Sequence, residues 1–248
     1  MKQKIYIILA LLFTAVGANA QDWSGSGTEG SPYIIDTREK LDMLATSVNN
    51  GQGYQDKFFR LDNDINYSGY TYTAIGTEAN PFCGTFDGNG NSIKSPQIQL
   101  ASTPYQGIFG YNNGIIKNLK VTDPYILGGD CTGGIAGYNA GVIENCRVDN
   151  QRGILYGEND HSCYGGIVGY NVYGGNVGYC LYLGRIVDGT EFVGAIAGKN
   201  NEGALSSNLY HHNGYQTISN DNVGTTVLGV GVASSITGAD SDAAKKAK

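Results

Sequence analysis

One short pattern is written four times along this chain, and it limits the possible folds more than any other feature. Gly134-Ile135-Ala136-Gly137-Tyr138-Asn139-Ala140-Gly141-Val142-Ile143-Glu144-Asn145-Cys146-Arg147-Val148 returns as GIFGYNNGIIKNLKV from Gly107 to Val121. It returns again as GIVGYNVYGGNVGYCLY from Gly166 to Tyr182 and as AIAGKNNEGALSSNLY from Ala195 to Tyr210. The matching asparagines are Asn112, Asn139, Asn171 and Asn200, spaced by about 30 residues, the period of a solenoid whose units bury a core only by stacking.

Within a unit, a small apolar run is followed by a turn and then by an alternating run. Ile143, Cys146 and Val148 face in, while Glu144 and Arg147 face out, which is the two-residue period of a strand. Asn139-Ala140-Gly141, Asn112-Asn113-Gly114 and Asn201-Glu202-Gly203 are turn chemistry. Parallel stacking puts equivalent residues about 4.8 Å apart. It therefore predicts an inner ladder of Ile108, Ile135, Ile167 and Ile196, and a second column of Tyr111, Tyr138 and Tyr170 ending at Lys199. The competing arrangement is one antiparallel hairpin per unit, which the Asn-x-Gly turns also suit. The unit length favours the parallel coil because it leaves room for a third strand.

The GG(I/V)xGYN…G…I-x-N-C pattern resembles the GLUG motif family, glycine-rich repeats of secreted and surface bacterial proteins, some of which carry the motif ahead of a metallopeptidase domain. The resemblance runs from Phe82 to about Tyr210 and includes the lead-in Phe82-Cys83-Gly84-Thr85-Phe86-Asp87-Gly88-Asn89-Gly90. It implies an all-β fold, a single right-handed parallel β-helix, and an extracytoplasmic location. The fourth unit departs from the pattern, with Lys199 in the Tyr place and Asn208 in the Cys place.

In chain order, residues 1–20 read as a secretory signal peptide: two lysines, an apolar run from Ile5 to Val16, and Ala18-Asn19-Ala20 at the end. The run is too short for a membrane span. Residues 21–36 form a polar lead and a strand at Tyr33-Ile34-Ile35. Residues 37–50 form a short capping helix: Leu41, Leu44, Ala45 and Val48 share one face, Asp36 and Glu39 have capping-box spacing with Asp36 as N-cap, and Asn49-Asn50-Gly51 ends it. This helix is expected to cover the open N-terminal edge of the stack. Residues 51–237 are the β-helix, with core repeats over 105–210 and a last apolar edge from Asn220 to Thr237. Residues 238–248 are a disordered tail.

Composition fits an exported β protein, with 15% charged and 41% apolar residues, 38 glycines and formal net charge −6. Loss of Lys2 and Lys4 on cleavage makes the chain more acidic, which argues against a nucleic-acid partner. Asp87-Gly88-Asn89-Gly90-Asn91 has oxygens at alternate positions, but Ser92 and Ile98 stand where a calcium loop needs Gly and Glu. A tight turn accounts for it, and for Asp62-Asn63-Asp64, without a metal. Cys131 pairs in position with Cys163, and Cys146 with Cys180. In-register rungs hold Cβ atoms about 4.8 Å apart, wider than the roughly 3.8 Å of a disulfide, so these read as stacked buried thiols. Cys83 is left over.

No H-E-x-x-H, G-x-S-x-G or P-loop is present, and no cofactor is implied. His161, His211 and His212 read as solvated loop residues. The candidate site is the loop Asp149 to His161, inside the longest repeat interval, since solenoid insertions collect on the binding face. It offers Asp149, Arg152, Tyr156, Glu158, Asp160 and His161, with Tyr173 in a neighbouring wall. The expectation is a secreted or cell-surface, non-catalytic binding protein, an adhesin or glycan-binding module, in the periplasm or on the outer surface of a Gram-negative bacterium. Its partner would be a glycan or a host or cell-surface polymer, with no membrane span. The alternative is a polysaccharide lyase or glycoside hydrolase using Asp149, Glu158 and Asp160.

Overall fold

The structure, a computed structural model, describes residues 23–157, 162–187, 191–212, 221–223 and 226–230. The chain winds as a parallel β-solenoid of about 6 turns, each turn contributing strands to successive sheets. Sheet one holds Tyr33–Ile35, Phe58–Leu61, Thr85–Asp87, Ile115–Lys117, Val142–Glu144, Asn176–Gly178 and Ala204–Ser206. Sheet two runs from Ile65–Asn66 through Ser92–Lys94, Lys120–Thr122, Arg147–Gly157 and Leu181–Val187 to Leu209–His212, with Gln97–Leu100 and Tyr125–Gly128 on a side branch. Sheet three is Thr132–Gly133, Ser162–Gly165 and Glu191–Gly194, and sheet four begins Phe109–Asn112, Ala136–Asn139, Val168–Asn171, Ala197–Asn201. The hairpin arrangement is excluded: Ala136–Asn139 and Val142–Glu144 lie in different sheets, each paired in parallel with its equivalents above and below.

Parallel register turns repetition into buried columns. Phe59, Phe86, Ile116, Ile143 and Val177 line sheet one, and Ile65, Ile93, Val121, Val148 and Tyr182 line sheet two. Ile108, Ile135, Ile167 and Ile196 are stacked at the entrance to sheet four, all buried, with the Ile135 N–H donating to the Ile167 carbonyl at 2.8 Å. The alternation expected over Ile143 to Val148 holds at every position, Glu144 being exposed and Arg147 half-buried. Inside sheet four the repeated asparagines, fully or almost fully buried, form a side-chain chain: Asn112 Nδ2 donates to Asn139 Oδ1 (2.7 Å), Asn139 Nδ2 to Asn171 Oδ1 (2.8 Å) and Asn171 Nδ2 to Asn200 Oδ1 (2.8 Å). Each link satisfies buried amide groups that would otherwise cost desolvation energy.

The turn from sheet one to sheet two repeats one conformation. Asn118, Asn145, Tyr179 and Ser207 all have φ between 51° and 54°, the left-handed region that asparagine tolerates best among residues with a Cβ. Asn145 Nδ2 donates to Asn118 Oδ1 (2.7 Å), and Asn118 Nδ2 to Asp87 Oδ1 (2.9 Å), a second, outer ladder. Asp87 Oδ1 also accepts from the Asn89 N–H (2.8 Å), so Asp87 to Asn91 is a local turn. The glycine before each residue of the Tyr111, Tyr138, Tyr170 and Lys199 column has a steric cause: a Cβ on Gly110 would collide with the Gly76 carbonyl, one on Gly137 with the backbone of Tyr105, and one on Gly169 or Gly198 with that of Cys131 or Cys163.

The helix spans Arg38–Asn49, and Leu41, Leu44, Ala45 and Val48 are buried as the spacing requires. Its N-cap is Thr37, whose hydroxyl accepts from the Lys40 N–H at 3.3 Å. Asp36, the expected cap, instead forms an ion pair with Lys40 Nζ at 2.8 Å. The helix follows the first strand of sheet one and stands one level ahead of the other sheets. Tyr67 Oη donates to Asp42 (2.6 Å) and Asn49 Nδ2 donates to the Ala74 carbonyl (3.0 Å), so the helix covers the first turn from above. At the far end of sheet four, Thr226–Val230 and Asp221–Val223 add in antiparallel sense, unlike the coils before them. The expected leader over residues 1–20 and tail over 238–248 lie outside the described residues.

The five cysteines are unlinked; Cys131, Cys146, Cys163 and Cys180 are buried and Cys83 is half-buried. Cys146 and Cys180 occupy adjacent levels, each Sγ directed at backbone carbonyls, Glu144 and Gly178 respectively, at 3.3 Å. Burial first, then the neighbouring Cys180 thiol, holds the Cys146 thiol well above its ordinary pKa.

Successive sheet-four asparagines are 27, 32 and 29 residues apart. The surplus in the longest interval lies between Val148 on sheet two and Val168 on sheet four, where Arg147–Gly157 runs on as one strand. Its pairing with Leu181–Val187 shifts register between Asn150 and Leu155.

Candidate binding face

Outside the coil, the four sheets present different chemistry. Sheets one and two carry charges that pair locally: Arg60 with Asp62 (2.6 Å), Lys94 with Asp64 (2.7 Å) and Arg147 with Asp149 (3.3 Å). Sheet four carries rings. In its Gly-Tyr-Asn segments the asparagine turns in, so the tyrosine turns out, and Tyr111, Tyr138, Tyr170 and Lys199 stand in register on successive levels. All four are half-buried. The tyrosine column is thus a surface feature and not the core ladder that stacking alone would suggest.

Tyr111 and Tyr138 lie almost parallel, 3.9 Å between centroids and 16° between planes, so they use each other's faces and offer edges and hydroxyls to solvent. Tyr170 meets Tyr138 edge-to-face at 5.7 Å. Tyr105, from the preceding turn, packs edge-to-face on both Tyr111 (5.5 Å) and Tyr138 (5.6 Å). Lys199 Nζ closes the column 5.1 Å from the Tyr170 ring and 5.5 Å from Phe192. Desolvation by burial is the main cause of the raised phenol pKa values of Tyr105 and Tyr111, with the Glu78 carboxylate a smaller contributor to both. The Tyr105 and Tyr111 hydroxyls therefore remain protonated donors at neutral pH.

At the head of this column is a groove of about 300 Å³. One wall is the turn at Ala74 and Glu78, held to the helix end by Asn49, which donates to the Ala74 carbonyl and accepts from the Gly76 N–H (2.8 Å). The other wall is Leu100, Pro104 and Tyr105. Leu100 is 47% exposed, so the rim of the groove presents an apolar side chain to solvent.

The residues singled out in the sequence are dispersed. Asp149 is on the outer side of sheet two, in its ion pair with Arg147, and Arg152 and Tyr156 belong to the same strand. The segment through Gly157 is thus strand and not loop, with Ile154 to Gly157 paired to Tyr125–Gly128. Glu158, Asp160 and His161 lie outside the described residues. Tyr173 is 79% exposed, but its turn leads from sheet four to sheet one and stacks on the Asn139–Gly141 turn, away from Asp149. It does not form a wall beside Asp149. Sequence reasoning passed over Tyr105, Glu78 and Leu100. Their only sequence signal is that the 100–106 and 73–78 turns fall outside the repeat, and nothing local marks them as neighbours. Among the described residues, no three His, Cys, Asp or Glu side chains stand together as a metal site, and no helix is long and apolar enough to cross a membrane.

The fold and this face define a β-solenoid repeat protein with an outward aromatic strip. Two relatives share part of the chain. A putative Gly-rich membrane protein of Evansella cellulosilytica is 33% identical over 131 residues, 49% of this chain and 15% of that protein. Halomucin of Haloquadratum walsbyi is 31% identical over 118 residues, 45% of this chain and 1% of that protein. The chain therefore spans only a small fraction of the length of either relative. No protein-family profile matches it, and no solved structure matches it.

Proposed function

We propose that this protein is a non-catalytic, extracytoplasmic binding module that presents the tyrosine face of sheet four to a carbohydrate polymer. The observation that carries this reading is the in-register column Tyr111, Tyr138, Tyr170 and Lys199, with Tyr105 packed against it, on the outer side of the coil. On sheets one and two the charged outer residues include the pairs Arg60–Asp62, Lys94–Asp64 and Arg147–Asp149, whereas the sheet-four strip is made of rings ending in one lysine. A strip of rings fixed by mutual packing costs little side-chain entropy on binding and offers apolar edges beside hydroxyl donors, the mixture that sugars require. The repeat levels, about 4.8 Å apart, make the strip a linear surface suited to an extended chain. An extracytoplasmic location is supported by the leader-like residues 1–20, by the GLUG-like pattern and by the name of the Evansella relative, which places that protein at a membrane.

The test is binding of the purified protein to a panel of neutral, amino and acidic polysaccharides. Tyr138→Ala and Tyr170→Ala are each expected to weaken retention on the preferred polymer roughly tenfold, a loss of order 1–3 kcal/mol per aromatic contact. Circular dichroism should be unchanged. Release of reducing ends or unsaturated products from any polymer would replace this reading with an enzymatic one.

A further inference from the structure

The groove at the head of the tyrosine strip narrows the class of sugar. We propose that it is a terminal subsite for a hexosamine with a free amino group, the ammonium meeting Glu78 and the ring lying against Leu100, Pro104 and Tyr105. This inference rests on the carbohydrate-binding reading above and assigns the residue type at one end of the polymer.

Three observations converge. The groove is small, about 300 Å³, at the lower end of the range for ligand sites and suited to a sugar ring and little more. Its walls are mainly apolar, with Leu100 held 47% exposed at the rim, which matches the C–H face of a pyranose. Its only charged lining residue is Glu78, which is exposed and forms no ion pair with any described residue, whereas Asp62, Asp64 and Asp149 are each paired with Lys or Arg. A carboxylate at an otherwise uncharged, apolar groove selects a cation and rejects a uronate, because a like charge brought there would be desolvated without a partner. The walls are also preformed. Asn49 ties the Glu78 turn to the helix end through the Ala74 carbonyl, the Gly76 N–H and the Asn80 amide (2.9 Å to the Asn49 carbonyl). Gln106 Nε2 donates to the Pro104 carbonyl at 2.9 Å and steadies the opposite turn. Acid at the groove and Lys199 at the far end give the strip a direction, so a polymer with one cationic end would bind in a single orientation.

The experiment compares a fully deacetylated glucosamine tetramer with the fully N-acetylated tetramer by titration calorimetry at pH 5.5, where the amine is protonated. Wild type, Glu78→Gln and Tyr138→Ala are measured, all with intact circular dichroism. Wild type is expected to bind the deacetylated tetramer roughly fivefold more tightly, the scale of one solvent-accessible ion pair. Glu78→Gln should abolish that preference without weakening the acetylated tetramer, and Tyr138→Ala should weaken both. Equal affinity of wild type for the two tetramers, or a preference that survives Glu78→Gln, overturns the subsite while leaving the carbohydrate reading standing. Failure of wild type to bind either, or any member of the neutral panel, removes both. Displacement of the bound tetramer by an equimolar lysine tetrapeptide would overturn the subsite in favour of a peptide side chain.

Discussion

Replacing Asn139 with Ala should be among the most costly single truncations in the coil. Asn139 is fully buried, accepts from Asn112 at 2.7 Å, and donates to Asn171 at 2.8 Å and to the Gly141 carbonyl at 3.1 Å. The Gly141 carbonyl keeps the Asn176 N–H at 2.8 Å, and Asn112 Nδ2 keeps a longer bond to the Gly114 carbonyl at 3.3 Å. Asn171 Oδ1 loses its side-chain donor in a buried site. The three lost hydrogen bonds contribute about 1 kcal/mol each and a stranded buried acceptor about 1–3 kcal/mol, so the total is about 4–6 kcal/mol. Asn200 is the internal control. Among the described residues it ends the chain of amides, accepting from Asn171 and donating to the Gly203 carbonyl at 2.9 Å. Asn200→Ala strands no acceptor of another ladder asparagine and should cost about 1–2 kcal/mol. Urea unfolding followed by far-ultraviolet circular dichroism at pH 7 measures both. A third variant, Asn139→Asp, adds a sign. A buried carboxyl next to the Asn171 carbonyl oxygen has a folded pKa above its unfolded value of about 3.9. Its penalty is therefore small below that pH and grows as pH rises. Equal costs for Asn139→Ala and Asn200→Ala, or an Asn139→Asp penalty independent of pH, would refute the view that the amides act as one connected column.

Two further outcomes follow from packing. Gly137→Ala places a methyl into the Tyr105 backbone and should destabilise by at least about 1–3 kcal/mol, whereas Gly30→Ala, with open space around it and no left-handed φ, should stay within about 0.5 kcal/mol; the same urea assay reads both. Cys146→Ser should cost about 1–3 kcal/mol through burial of a hydroxyl, and in the native protein alkylation should reach Cys83 well before the four buried thiols, as mass mapping would show. A Cys146–Cys180 bridge found by mass spectrometry would contradict this packing.

The sequence discloses the architecture because a coil repeats its instructions. Ile135 and Ile167 announce their ladder by recurrence alone, and the alternation from Ile143 to Val148 states which side chains point inward. The helix was also legible from the spacing of Leu41, Leu44, Ala45 and Val48, although its cap moved from Asp36 to Thr37. Two residues that could both cap differ only in where the backbone turns, and Lys40 draws Asp36 into an ion pair. The tyrosine face was harder. A tyrosine at a fixed place in a repeat reads equally well as core or as surface, and only the inward turn of the adjacent Asn112, Asn139 and Asn171 sets it outside. The groove was not legible at all, because Glu78, Leu100 and Tyr105 meet across separate turns of the coil, at sequence distances that carry no periodic signal.

The unequal intervals between the sheet-four asparagines have a bearing on how such a chain can change through descent. The columns on sheets one and four keep their partners on both sides of the longest interval, so the added residues are absorbed entirely between Val148 and Val168. A single residue gained in the short turn from sheet one to sheet two would instead invert the facing of the strand that follows. Lineages of this protein can therefore lengthen or shorten one corner by small steps, each intermediate still folded, and can gain whole coils by duplication. The corner from sheet four to sheet one varies too: residues 172–175 are two more than their counterparts 140–141, with pairing kept on both sides.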